Sequence, residues 1–178
     1  MRKILVVVGG LMIVAILGVM AVALTKPDSF RVERQIVIKS PPEAIFAMIA
    51  DFRAWAGWSP WEKRDPAMKR TMGEVASGKG ATYAWDGNNE VGAGRMEVTD
   101  AKAPREVTIK LDFSRPMEAH NIAQFTLEPR DGGTVVTWSM HGENPFLGKV
   151  VQVFISMDKM VGSDFEAGLA ALKKLAEK

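Results

Sequence analysis

The sequence predicts an α+β fold: a curved antiparallel sheet of about six to seven strands wrapped around a long C-terminal helix, preceded by a transmembrane helix. Three observations predict it. Residues 4–24 carry no charged side chain, and an apolar helix of ~20 residues crosses a hydrocarbon core. Between Lys69 and Met140, apolar residues alternate with polar ones in short runs separated by turn residues. From Met157 onward the pattern turns helical, with Met157, Met160, Val161, Phe165, Leu169, Leu172 and Leu175 on one face.

The run Ile4–Leu24 tolerates Gly9, Gly10 and Gly18 as a membrane helix would. Arg2 and Lys3 precede it and only Lys26 follows closely, so the positive-inside bias places the N-terminus in the cytoplasm. The remainder is then extracytoplasmic, periplasmic in a Gram-negative cell. A cleaved signal peptide is the competing reading, because Ala21-Val22-Ala23 has the small residues of a cleavage site. The apolar run is longer than the ~7–15 residues of a signal core, which favours the anchor. Residues 1–27 are therefore anchor or signal, and 28–178 a single ligand-binding domain.

Charge and composition exclude several function classes. The chain has 23 basic and 21 acidic side chains. Setting aside Arg2, Lys3 and Lys26 leaves 20 against 21, a net charge of −1 with no basic block for nucleic acid. Cysteine is absent, which removes disulfides, thiolate metal sites and cysteine nucleophiles.

The elements follow in order. Phe30–Lys39 puts Val32, Ile36 and Ile38 on one face of a strand. Ser40-Pro41-Pro42-Glu43 reads as a capping box opening a helix from about Pro41 to Ala50, with Ile45, Phe46, Met48 and Ile49 apolar. Asp51–Ala54 starts a second short helix. It leads into Trp55-Ala-Gly-Trp58-Ser-Pro-Trp61, which holds three of the five tryptophans. Lys69–Glu74 is a weak strand. Ala81, Tyr83 and Trp85 share a face of the next, and Gly94, Met96 and Val98 a face of the one after. Val107, Ile109, Leu111 and Phe113 alternate cleanly, as do Ala123, Phe125 and Leu127, and then Val136, Trp138 and Met140. Ser156 caps the last helix, with Asp158 in its first turn.

The candidate sites are mostly apolar. Each tryptophan of the 55–61 segment can bury ~150–250 Å², worth up to about 4–6 kcal/mol, so the segment must contact something. It reads as a plug across one end of the gap between sheet and helix. A pocket lid and a membrane-docking surface are the alternatives. His120 and His141 lack the spacing of a metal cluster, and no orienting partner is legible for either. Arg95, Glu97 and Asp112 fall on the outward face, and Asp164 edges the last helix as an ion-pair partner. Gly92-Ala93-Gly94 lacks the lysine and spacing of a phosphate loop and reads as a strand bulge.

The chain resembles the START/Bet v 1-like (SRPBCC) helix-grip superfamily over roughly Phe30–Lys178, in particular bacterial polyketide cyclase-like proteins. The residues that carry the resemblance are Ser40-Pro-Pro-Glu43, Trp55-x-x-Trp58-Ser-Pro-Trp61 with Asp65-Pro66, and Gly87-Asn88 before Val91-Gly92-x-Gly94. Met157-Asp-Lys-Met-Val-Gly-Ser-Asp-Phe-Glu-Ala-Gly-Leu169 and Leu172-Lys173 close it. The resemblance implies a hydrophobic-ligand cavity between sheet and C-terminal helix. Its lining would be Tyr83, Trp85, Met96, Phe113, Phe125, Trp138, Met140, Met157 and Met160, with Trp58 and Trp61 at the rim. The expected partner is a hydrophobic small molecule or lipid, with membrane contact through Ile4–Leu24 and no nucleic acid. No catalytic residue, metal or cofactor is assigned. A cyclase- or hydrolase-like enzyme and a partner-docking module built on Trp55–Trp61 are the alternative functions.

Overall fold

The computed structural model describes residues 2–178. The side chains of residues 2, 3, 5 and 6 lie outside that description, and with them the Arg2–Lys3 charge that the orientation reading uses. Helix α1, Arg2–Leu24, has 23 residues, or ~34 Å at 1.5 Å per residue. Only 6% of its apolar stretch Val7–Leu24 is buried, unlike the core helix of a soluble protein. It is a candidate membrane span or signal sequence.

Seven strands follow: β1 (Ser29–Ile38), β2 (Lys69–Met72), β3 (Thr82–Asp86), β4 (Ala93–Lys102), β5 (Glu106–Arg115), β6 (Ala119–Arg130) and β7 (Gly133–Glu143). They form one antiparallel sheet in the order β1-β7-β6-β5-β4-β3-β2. The first strand thus pairs with the last, Val32 opposite Met140 and Arg34 opposite Trp138. The remaining strands are a plain meander, as the alternation predicts. Register shifts at Ala93/Gly94 and Val98/Asp100 bend β4 against β5.

Between β1 and β2 lie α2 (Pro42–Ala50), a 3-10 helix (Phe52–Gly57) and α3 (Pro60–Arg64). After β7 come α4 (Phe146–Phe154) and the long α5 (Met157–Ala176). The buried faces of α2 and α5 are Ile45 and Ile49, and Phe165, Leu169 and Leu172. They join Val98, Val107, Ile109, Phe125, Leu127, Val136 and Trp138 of the sheet in one core. This is an α+β helix-grip fold: a curved sheet closed around its C-terminal helix, with an apolar helix in front.

The grip is fastened by β1. Arg34 Nε donates to Glu166 Oε1 at 2.6 Å, and its Nη1 to Asp158 Oδ1 at 2.7 Å. Those carboxylates flank Gly162 four residues to either side, and an added Cβ at Gly162 would stand 2.2 Å from Arg34 Nη2. The guanidinium therefore lies flat across α5 where the helix has no side chain.

Three expectations need correction. The capping box does not form: α2 has Pro41 at its N-cap with no side-chain cap bond. The helix starts one residue later than predicted, which leaves Ser40 outside it and moves Glu43 off the N3 position. Ser40 is buried, and its carbonyl accepts from Thr134 Oγ1 at 2.8 Å. Met160, predicted on the inward face of α5, is 43% exposed. It lies to the outward side of the stripe that Phe165, Leu169 and Leu172 define. Helices α3 and α4 have no counterpart among the predicted elements.

Pairing fixes which features share an end of the sheet. One row runs across it through Phe30, Gly142, Asn121, Leu111, Met96 and Tyr83. Just beyond that row lie Trp85, Gly94, Phe113 and Ala119, in adjacent register. The exit of α1, the β5–β6 hairpin, α4 and the start of α5 all belong to this end.

Candidate functional site

The sequence concentrates its aromatics where the helices meet the sheet. Trp58 is fully buried and Trp55 and Trp138 nearly so. The 3-10 helix is held to α2 by its indoles: Trp55 Nε1 donates to Ile49 O at 2.9 Å and Trp58 Nε1 to Met48 O at 3.2 Å. Both carbonyls lie in the last turn of α2, where a helix leaves its C=O groups without intrahelical partners. The tryptophans are therefore C-terminal caps as well as core. Trp58, expected at a rim, sits inside the core, and the exposed indoles that the docking reading requires of Trp55 and Trp58 are absent.

Trp138 on β7 is the centre of the array. Its ring stacks on Phe165 of α5 at 4.2 Å and 6°, and on Phe125 of β6 at 4.8 Å and 29°. Trp58 and Trp61 meet it edge-on at 5.7 Å each. Gly168 lets α5 approach this closely, since a Cβ there would come within 2.8 Å of Trp138 Cζ3. Among the described residues, Trp138 Nε1 is the buried side-chain nitrogen or oxygen with no hydrogen-bond partner. An unmet buried donor costs about 1–3 kcal/mol, and such a group calls for an explanation.

A second group lies toward the α1 end. Tyr83 and Trp85 stack at 6.2 Å, and Trp85 meets Phe113 edge-on at 5.5 Å. Trp85 lies across Gly94, where a Cβ would fall 2.5 Å from its ring, and its Nε1 donates to Val91 O at 3.0 Å. The glycine run 92–94 is thus the predicted bulge, shaped to receive an indole. Of the predicted lining, Trp58, Tyr83, Met96, Phe125, Trp138 and Met140 are buried. Trp61, Trp85, Phe113 and Met157 are half-buried, and Met160 faces away.

Polar groups converge beside Tyr83, where alternation alone placed none. Tyr83 Oη donates to Glu62 Oε1 at 2.6 Å, and Arg70 Nε donates to Glu62 Oε2 at 2.7 Å. Burial, then the Glu62 carboxylate, pushes the Tyr83 phenol well above its ordinary range. Arg64 reaches Asp164, whose side chain is nearly covered, so the predicted ion pair on α5 is made to α3.

On the outer face of the sheet, His120 Nδ1 lies 2.7 Å from Asp112 Oδ1, and Lys110 Nζ lies 2.9 Å from Asp112 Oδ2. Burial pushes the Asp112 carboxyl up, but His120 and Lys110 together hold it below its ordinary value. This partner for His120 was not legible locally, because it is supplied by strand register. Among the described residues, no three His, Asp or Glu side chains gather as a metal site.

The family model described as "Polyketide cyclase / dehydrase and lipid transport" matches residues 29–177. No curated protein matches the chain. Solved structures do. Protein CV1439 from Chromobacterium violaceum is 16% identical, covering 86% of this chain and 99% of its own, with a TM-score of 0.59. The Aha1 dimer from Colwellia psychrerythraea is 19% identical, covering 83% and 96%, with a TM-score of 0.56. The di-domain ARO/CYC StfQ from the steffimycin biosynthetic pathway is 14% identical, with a TM-score of 0.62, and the match covers 84% of this chain and 51% of StfQ. At these identities the likeness is one of fold.

Proposed function

Because the chain belongs to the polyketide cyclase / dehydrase and lipid transport family, we propose that it binds a hydrophobic small molecule or lipid at the α1 end of the grip. In this reading α1 anchors the protein in a membrane. The observation that carries it is the set Trp85, Phe113 and Met157. These apolar side chains come from β3, β5 and α5 and remain half-buried beside the buried aromatic core. A molecule seated against them gains roughly 25 cal/mol for each Å² of apolar surface removed from water. Met157 supplies an adaptable contact. The Trp138 Nε1 donor gives a ligand acceptor a partner if the ligand reaches the core.

A cyclase-like enzyme has one observation in its favour, the Glu62–Tyr83–Arg70 group beside Trp85. Its hydrogen bonds are spent internally: Tyr83 and Arg70 occupy the two Glu62 oxygens, and Arg70 Nη1 also donates to Met68 O at 2.5 Å. A carboxylate so engaged is a structural brace rather than a free acid or base, so the binding reading is preferred.

The test compares organic extracts of the purified full-length chain with those of a Trp85→Ala/Phe113→Ala variant whose melting is checked. The expected result is an apolar species near one per chain in the wild type and at least several-fold depleted in the folded variant. Bulk lipid coating α1 would be retained equally by both. Identical extracts from two folded proteins would overturn the reading.

A further inference from the structure

The most exposed apolar surface outside α1 belongs to α4 and its last flanking residue. Phe146, Leu147, Val151, Phe154 and Ile155 are 44, 59, 36, 76 and 41% exposed. Leu147, Val151 and Phe154 are spaced four and three apart, so they form a stripe along one side of the helix. Left in water, such a stripe is an interaction surface without a partner.

Three observations identify the partner. First, α4 packs against α1, and in the C-terminal half of α1 the covered positions are Val19 and Ala23, four apart on one face. At 1.5 Å per residue, Val19 lies only ~7 Å before Leu24. If α1 spans a hydrocarbon core of ~30 Å, whatever lies against these turns sits within ~8 Å of its outer edge. An amphipathic helix in the boundary between headgroups and acyl chains is buried ~5–10 Å. The two depths agree.

Second, α4 is tied to the point where the chain leaves α1. Asn144 N donates to Asp28 O at 2.8 Å and its Nδ2 to Pro27 O at 2.9 Å. Lys149 Nζ pairs with Asp28 Oδ1 at 2.5 Å, and Gln152 Nε2 donates to Asn144 Oδ1 at 3.0 Å. The helix is held at the exit rather than hanging free of it. Third, Lys149 and Gln152, the polar side chains of α4, are the ones engaged at that exit, where a span meets the headgroups. Its apolar stripe is left outward.

We infer that α4 lies along the outer leaflet of the bilayer that α1 crosses, with Leu147, Val151 and Phe154 among the acyl chains. The inference rests on the reading of α1 as a retained anchor. It turns a single tethering helix into a two-helix footing, and it sets the half-buried side chains Trp85, Phe113 and Met157 at the lipid surface.

The chain has no cysteine, so single nitroxide labels can be placed without background. The full-length protein is reconstituted in phosphatidylcholine vesicles with labels at Leu147→Cys, Phe154→Cys, Leu17→Cys in α1 and Asp131→Cys at the far end of the sheet. Collision rates with oxygen and with a water-soluble nickel chelate are then compared. The expected result is oxygen preference at 17, 147 and 154 and chelate preference at 131. Chelate access at both 147 and 154, with 17 still in lipid, overturns the α4 inference and leaves the anchor reading standing. Chelate access at 17 as well overturns both. Labels at 147 and 154 that broaden one another between copies, and sharpen on dilution with unlabelled chain, overturn it in favour of a second copy on that face.

Discussion

At the scale of single residues, Tyr83 reports on the buried polar group it forms with Glu62. It is the only tyrosine, so tyrosinate absorbance reads it alone. Burial, followed by its bond to Glu62 and the charge of that carboxylate, raises the phenol above its ordinary value of 10.0. A group whose folded value is raised adds stability that is complete below the unfolded value and is lost as pH rises through the folded one. Tyr83 should therefore stay protonated through pH 10 and ionise only at more alkaline pH or on unfolding. In Glu62→Gln the carboxylate contribution disappears and burial remains, so ionisation should come at lower pH than in the wild type, yet above the ordinary value. Ionisation near pH 10 in the folded wild type would refute the buried Tyr83–Glu62 contact. The bond joins residues 21 apart, and the His120–Asp112 pair depends on β5–β6 register. Neither could be read from spacing along the chain, whereas the inward faces of single strands could.

At the scale of elements, period-two alternation found the strands that bury one face, whereas the exposed edge strand β2 gave only a weak signal. Two of the departures among the helices have separate causes. At Ser40-Pro41-Pro42 the motif was present, but the helix begins at the second proline, so the serine falls one position too early to cap it. In Phe146–Phe154 the apolar residues recur at helical spacing, but the segment is short and rich in β-branched valine, which favours a strand, so the two local signals conflict. The contact of α5 with Trp138 makes an element-scale prediction. Alanine is the better helix former by about 1 kcal/mol. At Gly168, however, a new Cβ would meet Trp138 Cζ3 at 2.8 Å and Pro60 Cδ at 3.2 Å. Overpacking of a tight core costs about 1–3 kcal/mol, so Gly168→Ala should lower the urea midpoint with no change in slope. A rise in midpoint would mean that α5 has slack against the sheet. Resemblance added what periodicity could not, namely the expectation of an apolar ligand between the sheet and α5.

At the scale of the whole molecule, the register of the sheet sets which end lies beside α1. The exit of α1, α4, the β5–β6 hairpin around Met117 and the half-buried side chains Trp85 and Phe113 lie at one end. The β6–β7 turn at Asp131-Gly132 lies at the other. Strand β6 alone has 12 residues, and at ~3.3 Å per residue that separates the ends by up to ~40 Å before tilt. A protein held by both α1 and α4 stands with a fixed inclination, whereas one tethered by α1 alone samples many. Donor dyes at Met117→Cys and at Asp131→Cys, with acceptor-labelled lipid in the bilayer, should therefore give strong transfer at Met117 and weak transfer at Asp131. The donor lifetime at each site should be close to single-valued. Removing the α4 footing with Leu147→Ser/Phe154→Ser should leave the chain membrane-bound through α1 while broadening both lifetimes and narrowing the difference between the sites. Equal transfer from the two positions in the unaltered protein would place the sheet flat on the bilayer. Trp85 and Phe113 would then be no nearer to the lipid than the far turn, and the α4 footing would have no bearing on where they sit.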